Sequence, residues 1–397
     1  MPLDPVDVLI VGGGPVGAAA ALGAAGLGLS VAVVERRRPQ RGNGRLGMDL
    51  RTVALAPATR VLLEELGIWG DLAPAPYRSM RVWEERGAAE IRFEAEEVGR
   101  TELGWILEVS RVTAALWRRL EDCSRVTCLI GEPLAGFKPR VDCVEVGLGG
   151  ETLRARLIVG ADGASSAVRE KSGVGVRELE TDQMAIATIA VTAEPHDGVA
   201  RQRFLLDGPL ALLPGNHPNI VSVIWSQPAE RAHRRVRLDD AGFGAELERA
   251  AGFGQGEVVE VDERVAFPVS QMIANRVNPH PRVLLVGDAA RVIHPLAGLG
   301  VNLGFEDVAG LLKVLERQTN GDPGADGLWR AFARRRKARG VAMMGFLAAL
   351  RAFYGMRQPL VHWIRNMGVR LVHRTGPVKR QLIREAMGFG PVAEKLR

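Results

Sequence analysis

Cysteine is scarce in this chain of 397 residues, which contains only Cys123, Cys128 and Cys143. Their number is odd and no histidine lies near them in the sequence, which argues against a disulfide framework and against a zinc site. We therefore expect no metal site and reduced thiols, as in a cytoplasmic protein. Hydrophobic residues at 47% and charged residues at 25% are ordinary values for a globular protein.

Charge is absent from residues 8–34, a run long enough to pass a crude test for a membrane span of about 20 residues. The run contains Pro15 and several glycines, however, which argue against a spanning helix. A secretory signal would also need a basic segment in front, whereas only Asp4 and Asp7 are charged there. We expect neither a cleaved signal nor a spanning helix.

Three separated segments each contain a short apolar strand followed by a glycine-containing turn. Residues 7–35 have the pattern of a strand, a glycine turn, a small-residue helix and a second strand, which is a βαβ unit. The plan recurs in part at 154–170 and 282–300. Between these two, residues 184–270 alternate in stretches such as "FLLDGPLALLPG" and predict a mostly antiparallel insert, whereas the chain after the polar loop 317–327 predicts helices.

A GxGxxG motif formed by Gly12, Gly14 and Gly17 directly follows the first strand. In such a motif the first glycine permits a tight turn, the second lets the backbone approach a pyrophosphate, and the third lets helix and strand pack closely. The helix N-terminus presents its positive end to the phosphates. Glu35, which ends the second strand, can accept hydrogen bonds from an adenosine ribose. The motif predicts a dinucleotide site and leaves NAD and FAD open.

Two further motifs place a carboxylate at the end of an apolar strand. The residue is Asp162 in "GADGASSAVRE" and Asp288 in "VGDAARVIHPLAGLG". Each motif can serve simply as a capped strand-to-helix turn, but Asp288 can also accept hydrogen bonds from sugar or ribitol hydroxyls. Three motifs of this kind exceed what an NAD-dependent dehydrogenase needs.

With these motifs the sequence resembles the FAD-dependent aromatic hydroxylases that have the p-hydroxybenzoate hydroxylase fold. The better match within that group is to the ubiquinone-biosynthesis hydroxylases of the UbiH/UbiF type, and it covers nearly the whole chain. The matching stretches are "RTVALAPATRVLLEELGIWGDL", "YRSMRVWEERGAAEIRF", "HPLAGLGVNLGFEDV" and "MGVRLVHRTGPVKRQLIREAMG". Leu299, Arg291 and "WILEVSR" depart from the usual glutamine, histidine and "HIVEN", which affects the expected substrate position more than FAD binding.

The resemblance implies an α/β fold with a Rossmann-like FAD-binding domain, an inserted, mostly antiparallel β-sheet substrate domain and a helical C-terminal segment. The implied FAD-binding domain is discontinuous and comprises residues 1–70, 101–180 and 275–335. The substrate domain comprises 71–100 and 181–274, and the C-terminal segment comprises 336–397.

FAD is the implied cofactor and NAD(P)H the implied co-substrate. The resemblance places the pyrophosphate at the glycine turn, the ribose on Glu35, and the pyrimidine end of the flavin against the helix that follows Gly298. The implied cofactor-binding residues are Gly12, Gly14, Pro15, Gly17, Glu35, Arg36, Arg51, Arg111, Asp162, Asp288, Gly298, Gly300, Val301 and Asn302.

A helix that begins near Gly300 would direct its unpaired N–H groups and its positive end at the flavin N1–C2=O edge, where negative charge appears on reduction. No acidic residue precedes Glu306 in this helix, and an acid in its first turn would repel the reduced flavin. His294 and Pro295 would border the place where substrate meets flavin, and they are the candidate catalytic residues. His294 has two open roles: packing with hydrogen bonding, or proton transfer.

Acidic residues are nearly absent from residues 330–397, which contain Glu385 and Glu394 against 16 Lys or Arg. A predicted helix in this region has one apolar stripe, formed by Leu360, Trp363, Ile364, Met367 and Leu371. The helix either packs on its own domain or rests on a partner protein or anionic lipid at the inner face of the membrane. Nucleic acid is a poorer fit, because no recognised binding module accompanies the charge.

The implied reaction is hydroxylation of the aromatic ring of a polyprenylated phenol in ubiquinone biosynthesis, with molecular oxygen, through a flavin C4a-hydroperoxide. A mainly apolar pocket is expected, with walls formed by Leu205, Leu210, Leu212, Leu213, Val223 and Trp225. Three alternatives remain open. They are hydroxylation of a small soluble aromatic acid, a non-catalytic flavin-binding scaffold subunit of a biosynthetic complex, and a reductase that saturates isoprenoid double bonds.

Overall fold

A computed structural model describes residues 3–42, 44–85, 90–179, 181–252, 256–294, 299–318 and 321–355, together with 379–381, 383, 384 and 387. The strands, in chain order, are β1 (Val6–Val11), β2 (Val31–Glu35), β3 (Thr52–Leu55), β4 (Ala75–Tyr77), β5 (Ser79–Glu84), β6 (Glu90–Glu94), β7 (Gly104–Glu108), β8 (Val126–Ile130), β9 (Leu134–Pro139), β10 (Val144–Leu148), β11 (Glu151–Gly160), β12 (Val176–Leu179), β13 (Gln183–Thr192), β14 (Val199–Leu205), β15 (Gly208–Pro214), β16 (Ile220–Pro228), β17 (Val258–Val261), β18 (Val265–Pro268), β19 (Gln271–Ala274), β20 (Val283–Leu285) and β21 (Arg291–Val292). The α-helices are α1 (Pro15–Gly26), α2 (Pro57–Glu65), α3 (Val109–Glu121), α4 (Ala167–Lys171), α5 (Ala229–Val236), α6 (Asp240–Ala251), α7 (Leu299–Glu316) and α8 (Arg330–Gly355).

The first sheet has the strand order β8-β2-β1-β11-β10-β9, with β20 also paired to β11. Strands β8, β2, β1, β11 and β20 run parallel, and β10 and β9 continue the sheet as antiparallel strands. The predicted βαβ unit is confirmed as β1, α1 and β2. The carboxyl ends of β1, β11 and β20 therefore lie side by side, and each of the three sequence motifs follows one of these ends.

Helix α1 consists of small apolar residues because it is buried between the sheet and two other helices, α3 and α7. Ala18, Ala19, Ala20 and Ala21 are fully buried, and a Cβ on Gly23 would lie 2.4 Å from the side chain of Leu312 on α7. The charge-free run 8–34 is thus the centre of a protein core. Among the described residues, no helix combines the length and the apolar character that crossing a bilayer requires.

The second sheet has the order β17-β13-β16-β15-β14-β5-β6, with β18 also paired to β13. All its pairings are antiparallel except that of β14 with β5, so the antiparallel insert predicted over 184–270 is confirmed. Strand β5, from the predicted segment 71–100, pairs with β14 from the predicted segment 181–274, and β6 pairs with β5. The domain boundaries themselves stay a prediction.

Helices α5 and α6 interrupt the strands of this insert, and the sequence analysis predicted neither. They cover the outer face of the second sheet, where Leu210, Leu212 and Trp225 pack with Phe243 of α6. Asp239 starts α6, because its Oδ1 accepts a hydrogen bond from the Gly242 N–H at 2.8 Å. Two small sheets, β3-β7-β4 and β12-β19-β21, complete the described strands.

The predicted helical character after residue 327 is confirmed over α8. The stripe predicted for Leu360 to Leu371 lies outside the described residues, and so do Pro295 and Gly298.

Candidate functional site

The glycine turn between β1 and α1 contains glycines in two different situations. Gly12 has φ +104°, and a Cβ there would lie 2.4 Å from the carbonyl oxygen of Ala161, while a Cβ on Gly17 would lie 1.9 Å from the carbonyl oxygen of Gly12. Gly14, at the N-cap of α1, has no heavy atom within 4 Å of its Cβ position. The packing of the protein therefore demands Gly12 and Gly17, whereas Gly14 faces open space.

Glu35 is bound to this turn from the end of β2. Its carboxylate accepts hydrogen bonds from the backbone N–H of Gly13 at 2.6 Å and of Arg37 at 3.3 Å. Trp117 of α3 donates its indole N–H to the Gly13 carbonyl at 2.6 Å. Glu35 thus lies beside the glycine turn, and the neighbouring Arg36 is exposed to solvent.

Asp162 follows the end of β11. Its Oδ2 accepts a hydrogen bond from the Val168 N–H at 3.1 Å, and Ser166 caps α4 by accepting one from the Arg169 N–H at 3.0 Å. The capping role that the sequence allowed is therefore present. Capping accounts for only one carboxylate oxygen, because Asp162 Oδ1 is buried without a hydrogen-bond partner among the described residues.

Asp288 lies in a tight 3-10 turn, Gly287–Ala289, just after β20. Asp288 keeps an exposed surface that faces a cavity, but protein surrounds its carboxyl group closely enough that desolvation raises the pKa of Asp288. The nearby guanidinium groups of Arg291 and Arg51 act in the opposite direction and limit the rise in pKa. A carboxylate so placed is strongly favoured to gain hydrogen-bond donors from a ligand.

A buried ionic cluster supports the Asp288 turn. Asp307 of α7 accepts hydrogen bonds from the Gly287 N–H at 2.8 Å and from Arg291 at 2.8 Å, and its Oδ1 also accepts one from Arg336 of α8 at 2.5 Å. Burial alone would raise the pKa of Asp307, but the two guanidinium groups hold it below the ordinary value. Arg336 also contacts Glu306 at 3.1 Å. The cluster joins the turn, α7 and α8.

Helix α7 begins at Leu299 and has no acidic residue in its first turn, as the sequence predicted. Asn302 in that turn uses its side chain to hold other elements. Its Oδ1 accepts hydrogen bonds from the Ala56 N–H at 2.9 Å and the Thr59 hydroxyl at 2.8 Å, and its Nδ2 donates to the Ala54 carbonyl at 2.7 Å. Asn302 therefore fixes the N-terminal turn of α7 to β3 and α2.

One cavity of about 820 Å³ connects the three motifs with the second sheet. This volume falls within the usual range of about 300–1,000 Å³ for ligand sites. Of the predicted cofactor-binding residues, those that line the cavity are Gly14, Pro15, Arg51, Asp288, Gly300 and Val301. Ala161 and Gly163, on either side of Asp162, also line it.

Arg111 does not line the cavity but supports a loop that does. Glu108 accepts a hydrogen bond from Arg111 at 3.0 Å and another from the Asp49 N–H at 2.9 Å. Asp49 and Arg51 line the cavity, and Arg51 accepts a backbone hydrogen bond from the Val109 N–H at 2.9 Å. Glu108 lies in the stretch "WILEVSR", but the sequence analysis assigned it no role.

His294 is buried, with an exposed fraction of 1%, and is not among the residues that line the cavity. Its Nε2 lies 3.5 Å from Oε1 of Gln183, which starts β13. This placement is compatible with the packing and hydrogen-bonding role, and the catalytic role of His294 stays a prediction.

The second sheet forms the far wall of the cavity with the face opposite to α5 and α6. Ala211 pairs with Gln202 and with Ile224, and these three residues line the cavity together with Ala187, Ala200 and Leu213. Tyr77 and Met80 add to this wall from β4 and β5. Burial raises the pKa of Tyr77 to about 12, so its hydroxyl stays protonated at neutral pH.

The predicted pocket walls were wrong for five of six residues. Leu213 lines the cavity, but the other five contribute to the core beneath α5 and α6: Leu205, Leu210, Leu212, Val223 and Trp225. Successive strand residues point to opposite faces of the sheet. Alternation alone does not tell which face is covered by helices and which face borders the cavity. The residues found instead, such as Ala211 and Gln202, carry no signal in the sequence without the strand register.

Comparison with known proteins identifies the family. Residues 5–346 match the model of the FAD-binding domain family. The chain belongs to this family. Its resemblance to the ubiquinone-biosynthesis hydroxylases is also confirmed, because it is 34% identical over 393 residues to the 3-demethoxyubiquinol 3-hydroxylase of Escherichia coli, with 97% of this chain and 99% of that protein covered.

Two other proteins extend the comparison. The chain is 35% identical to the ubiquinone hydroxylase UbiL of Rhodospirillum rubrum, covering 98% of this chain and 92% of that one. The solved structure of p-nitrophenol 4-monooxygenase PnpA from Pseudomonas putida superposes with a TM-score of 0.80 at 20% identity, covering 98% of this chain and 100% of that one. The latter similarity confirms the p-hydroxybenzoate hydroxylase-type fold.

The residues of the cavity fit FAD, the cofactor of this family. The space above Gly14 is empty of protein atoms, and α1 and α7 both present N-terminal turns without acids toward the cavity. Asp162 Oδ1 is buried and lacks a donor among the described residues, and Asp288 faces the cavity. These features match a pyrophosphate, a ribityl chain and a flavin ring that gains negative charge.

Proposed function

We propose that the protein is an FAD-dependent monooxygenase that hydroxylates the aromatic ring of a prenylated phenol in ubiquinone biosynthesis, with NAD(P)H as reductant. One observation carries the proposal: a single cavity has nucleotide-binding motifs on one side and a small-residue, mainly apolar sheet face on the other. Relatives that cover nearly the whole chain are named as ubiquinone hydroxylases, which supports the same reaction.

The residues on the cofactor side have separate roles in this proposal. Gly14 and the N-terminus of α1 bind the pyrophosphate, Glu35 accepts hydrogen bonds from the ribose, and Asp288 accepts them from the ribityl hydroxyls. The turn at Gly300 and Val301 directs the positive end of α7 at the pyrimidine edge of the flavin. Arg51 supports the phosphate and ribityl region, and Asp162 lies where flavin binding and access of the nicotinamide meet.

Bound FAD, once reduced by NAD(P)H, supplies the activation of oxygen that ring hydroxylation requires. The overall reaction consumes the ring C–H, O₂, NAD(P)H and a proton, and yields the ring C–OH, NAD(P)⁺ and water. Ala187, Ala200 and Ile224 exclude water beside the ring and leave room for an apolar substituent. Burial of that substituent contributes about 0.8 kcal/mol for each methylene group.

A small soluble aromatic acid fits the cavity less well, because its carboxylate needs a buried cation. Arg201 of β14 is among the residues that line the cavity, although its register partner is Leu212, on the sheet face that packs beneath α5 and α6. Its guanidinium donates to the backbone carbonyl groups of His196 and Val199 at 3.3 and 3.2 Å. Arg51 lines the cavity on the cofactor side. Because the Arg201 guanidinium already binds backbone carbonyl groups, the side chains on the cavity face of the sheet favour a neutral ring.

The test is to purify the protein with FAD and measure oxygen uptake and NAD(P)H oxidation with prenylated phenols and with soluble aromatic acids. Mass analysis should show addition of one oxygen atom to a prenylated phenol. A preference for aromatic acids would favour the soluble-substrate alternative. FAD binding without substrate-stimulated NAD(P)H oxidation would favour the scaffold subunit, and turnover without oxygen consumption would favour the reductase.

Attachment to a membrane surface or to a biosynthetic complex is part of the proposal. The basic segment begins on α8, where Arg334, Arg335 and Lys337 are exposed. Basic side chains near an anionic lipid surface each contribute about 1 kcal/mol to binding.

A further inference from the structure

Gln202 of β14 is a buried amide on the cavity wall of the second sheet. Gln202 is only 5% exposed. Its register partner on β15, Ala211, and the partner of Ala211 on β16, Ile224, both line the cavity. Side chains directly opposite each other on neighbouring strands share one face. The Gln202 side chain therefore lies on the cavity face, among alanine, leucine and isoleucine side chains.

The Gln202 amide makes no hydrogen bond with any described residue, although polar neighbours in the sheet do. Ser222 on the same face is paired with the Thr52 hydroxyl at 2.6 Å. Gln183 donates to the Asp207 carbonyl at 3.2 Å. Neither amide atom of Gln202 is among the side-chain atoms that are fully buried without a partner, so the amide is open to the cavity. A ligand in the cavity would supply the missing partner.

We infer that Gln202 is a substrate-positioning residue, which binds the ring hydroxyl of a neutral phenol through its side-chain amide. The inference rests on the proposed function and adds the group that recognises the substrate. An amide offers both a donor and an acceptor, as a phenol hydroxyl does. A carboxylate could use only the donor, and the guanidinium of the adjacent Arg201 already binds backbone carbonyl groups.

The sheet contains a matched control, Gln227 of β16. Gln227 is fully buried, and its Nε2 lies 3.5 Å from the Trp225 carbonyl. It accepts a hydrogen bond from Arg235, which also contacts Glu246 at 2.7 Å. Gln227 does not line the cavity. Gln202→Met therefore removes an amide from the cavity wall, and Gln227→Met removes an equivalent amide from a site away from the cavity.

The experiment measures binding of two probes to the FAD-loaded protein by titration of the flavin absorbance. The probes are 2-(3-methylbut-2-enyl)phenol and the same molecule without its hydroxyl. We expect the wild type to bind the phenol about three- to tenfold more tightly than the analogue, as one net hydrogen bond provides. Gln202→Met should abolish this preference without changing FAD affinity, and Gln227→Met should retain it.

The inference is overturned if Gln202→Met keeps the wild-type preference, or if Gln227→Met loses it equally. If Gln202→Met does not bind FAD, Gln202→Asn provides the same test, because it withdraws the amide by one carbon–carbon bond; an unchanged preference again overturns the inference. Oxygen uptake by the wild type with the phenol is measured in parallel. Its absence counts against the proposed function, whereas uptake with an unchanged preference in the Gln202 variants counts against Gln202 alone.

Discussion

Single residues on the cofactor side of the cavity differ in what surrounds them. Some are therefore required for folding, and others are open to a ligand. Gly12 and Gly17 are close to other backbone atoms, while Gly14 is close to none. Asp288 faces the cavity and Asp307, behind it, is fully paired. The neighbours of a residue, more than its type, therefore determine which property a substitution changes.

Gly14→Ala and Gly17→Ala should affect different properties, FAD binding and stability respectively. Alanine at position 14 meets no protein atom, so the free energy of unfolding without FAD should change by less than about 1 kcal/mol. FAD should bind at least about tenfold more weakly, because the methyl group occupies the place that we propose for the pyrophosphate. Gly17→Ala should lower the free energy of unfolding itself by about 1–3 kcal/mol or more. Denaturant titration and FAD titration separate the two, and equal FAD affinity of Gly14→Ala and wild type would contradict the assigned site.

Asp288→Asn should stabilise the protein without FAD and weaken FAD binding. Because burial raises the pKa of Asp288, its ionised form is disfavoured in the folded state. Its contribution to stability is therefore fully present below the ordinary pKa of an aspartate and is lost as pH rises through the raised value. The melting temperatures of variant and wild type should agree at the acid end of this window and diverge, with the variant higher, above it. A wild type that is more stable than the variant at neutral pH would show that the sign is wrong.

Residue types at the glycine turn could be assigned from the sequence because each has a local cause. Gly12, Gly14 and Gly17 follow a strand and precede a helix, and that context is visible in one short segment. Glu108 and Gln202 could not be found in this way. Glu108 also binds Asp49 from a distant segment, and Gln202 faces open space that other strands enclose, so neither placement is visible in the local sequence.

Helices α1 and α7 direct their N-termini to the cavity, and both lack acids in the first turn. Asn302 fixes α7 to α2 and β3, and Asp307 fixes it to the Gly287–Ala289 turn. The direction of the helix is therefore determined by two side chains on different sides of it. Both carry hydrogen bonds that are buried, where they are strong.

Val301→Asp should lower the two-electron reduction potential of bound FAD. Val301 lines the cavity in the first turn of α7, where a negative charge opposes the helix dipole and repels the reduced flavin. A charge effect of about 0.3–2 kcal/mol corresponds to roughly 6–40 mV for two electrons. Asparagine has the shape of aspartate without its charge, so Val301→Asn should change the reduction potential much less. Equal shifts in both variants, measured by dye equilibration, would rule out the electrostatic explanation.

Asp307→Ala should lower the free energy of unfolding by about 3–5 kcal/mol, because it leaves Arg291 buried without its carboxylate. Asp326→Ala provides the control, because the ion pair of Asp326 with Arg330 is exposed and should contribute about 0–1 kcal/mol to the free energy of unfolding. Chemical denaturation of both variants measures the difference. A small effect of Asp307→Ala would mean that the cluster does not hold α7, α8 and the Asp288 turn together.

Elements with a strong local pattern were predicted correctly, and those without one were missed. The strands β1 and β2 and the helix α1 follow from an apolar run with glycines at its turn. Helices α5 and α6 were read as part of an antiparallel insert, although Asp239 caps α6. Their apolar residues, such as Phe243 and Leu247, are few, and flanking strands dominated the pattern of residues 184–270.

The whole molecule brings three distant segments to one edge of the first sheet and sets a second sheet opposite them. The parallel order of β1, β11 and β20 follows from the repeated strand-and-turn plan, so this part of the site could be predicted. The face of the second sheet that borders the cavity could not. It depends on the register between β14, β15 and β16 and on where α5 and α6 pack.

Ala211→Leu and Leu212→Ala, at adjacent positions of β15, should affect different properties. Ala211→Leu fills the cavity and should weaken substrate binding at least about tenfold, with FAD affinity and the free energy of unfolding nearly unchanged. Leu212→Ala leaves a void beneath α5 and α6 and should cost about 2–5 kcal/mol of stability with substrate affinity retained. Loss of substrate binding in both variants, at a temperature where both are folded, would contradict the assignment of the two faces.

The alanines at positions 187, 200 and 211 stand back to back with the large residues that anchor α5 and α6. Single substitutions that change side-chain size at these alanines should therefore change the length of the substrate substituent that the cavity accepts. The residues on the opposite face of the sheet, which hold α5 and α6, stay unchanged. Substrate selectivity can therefore diverge, in evolution or by engineering, without loss of the fold.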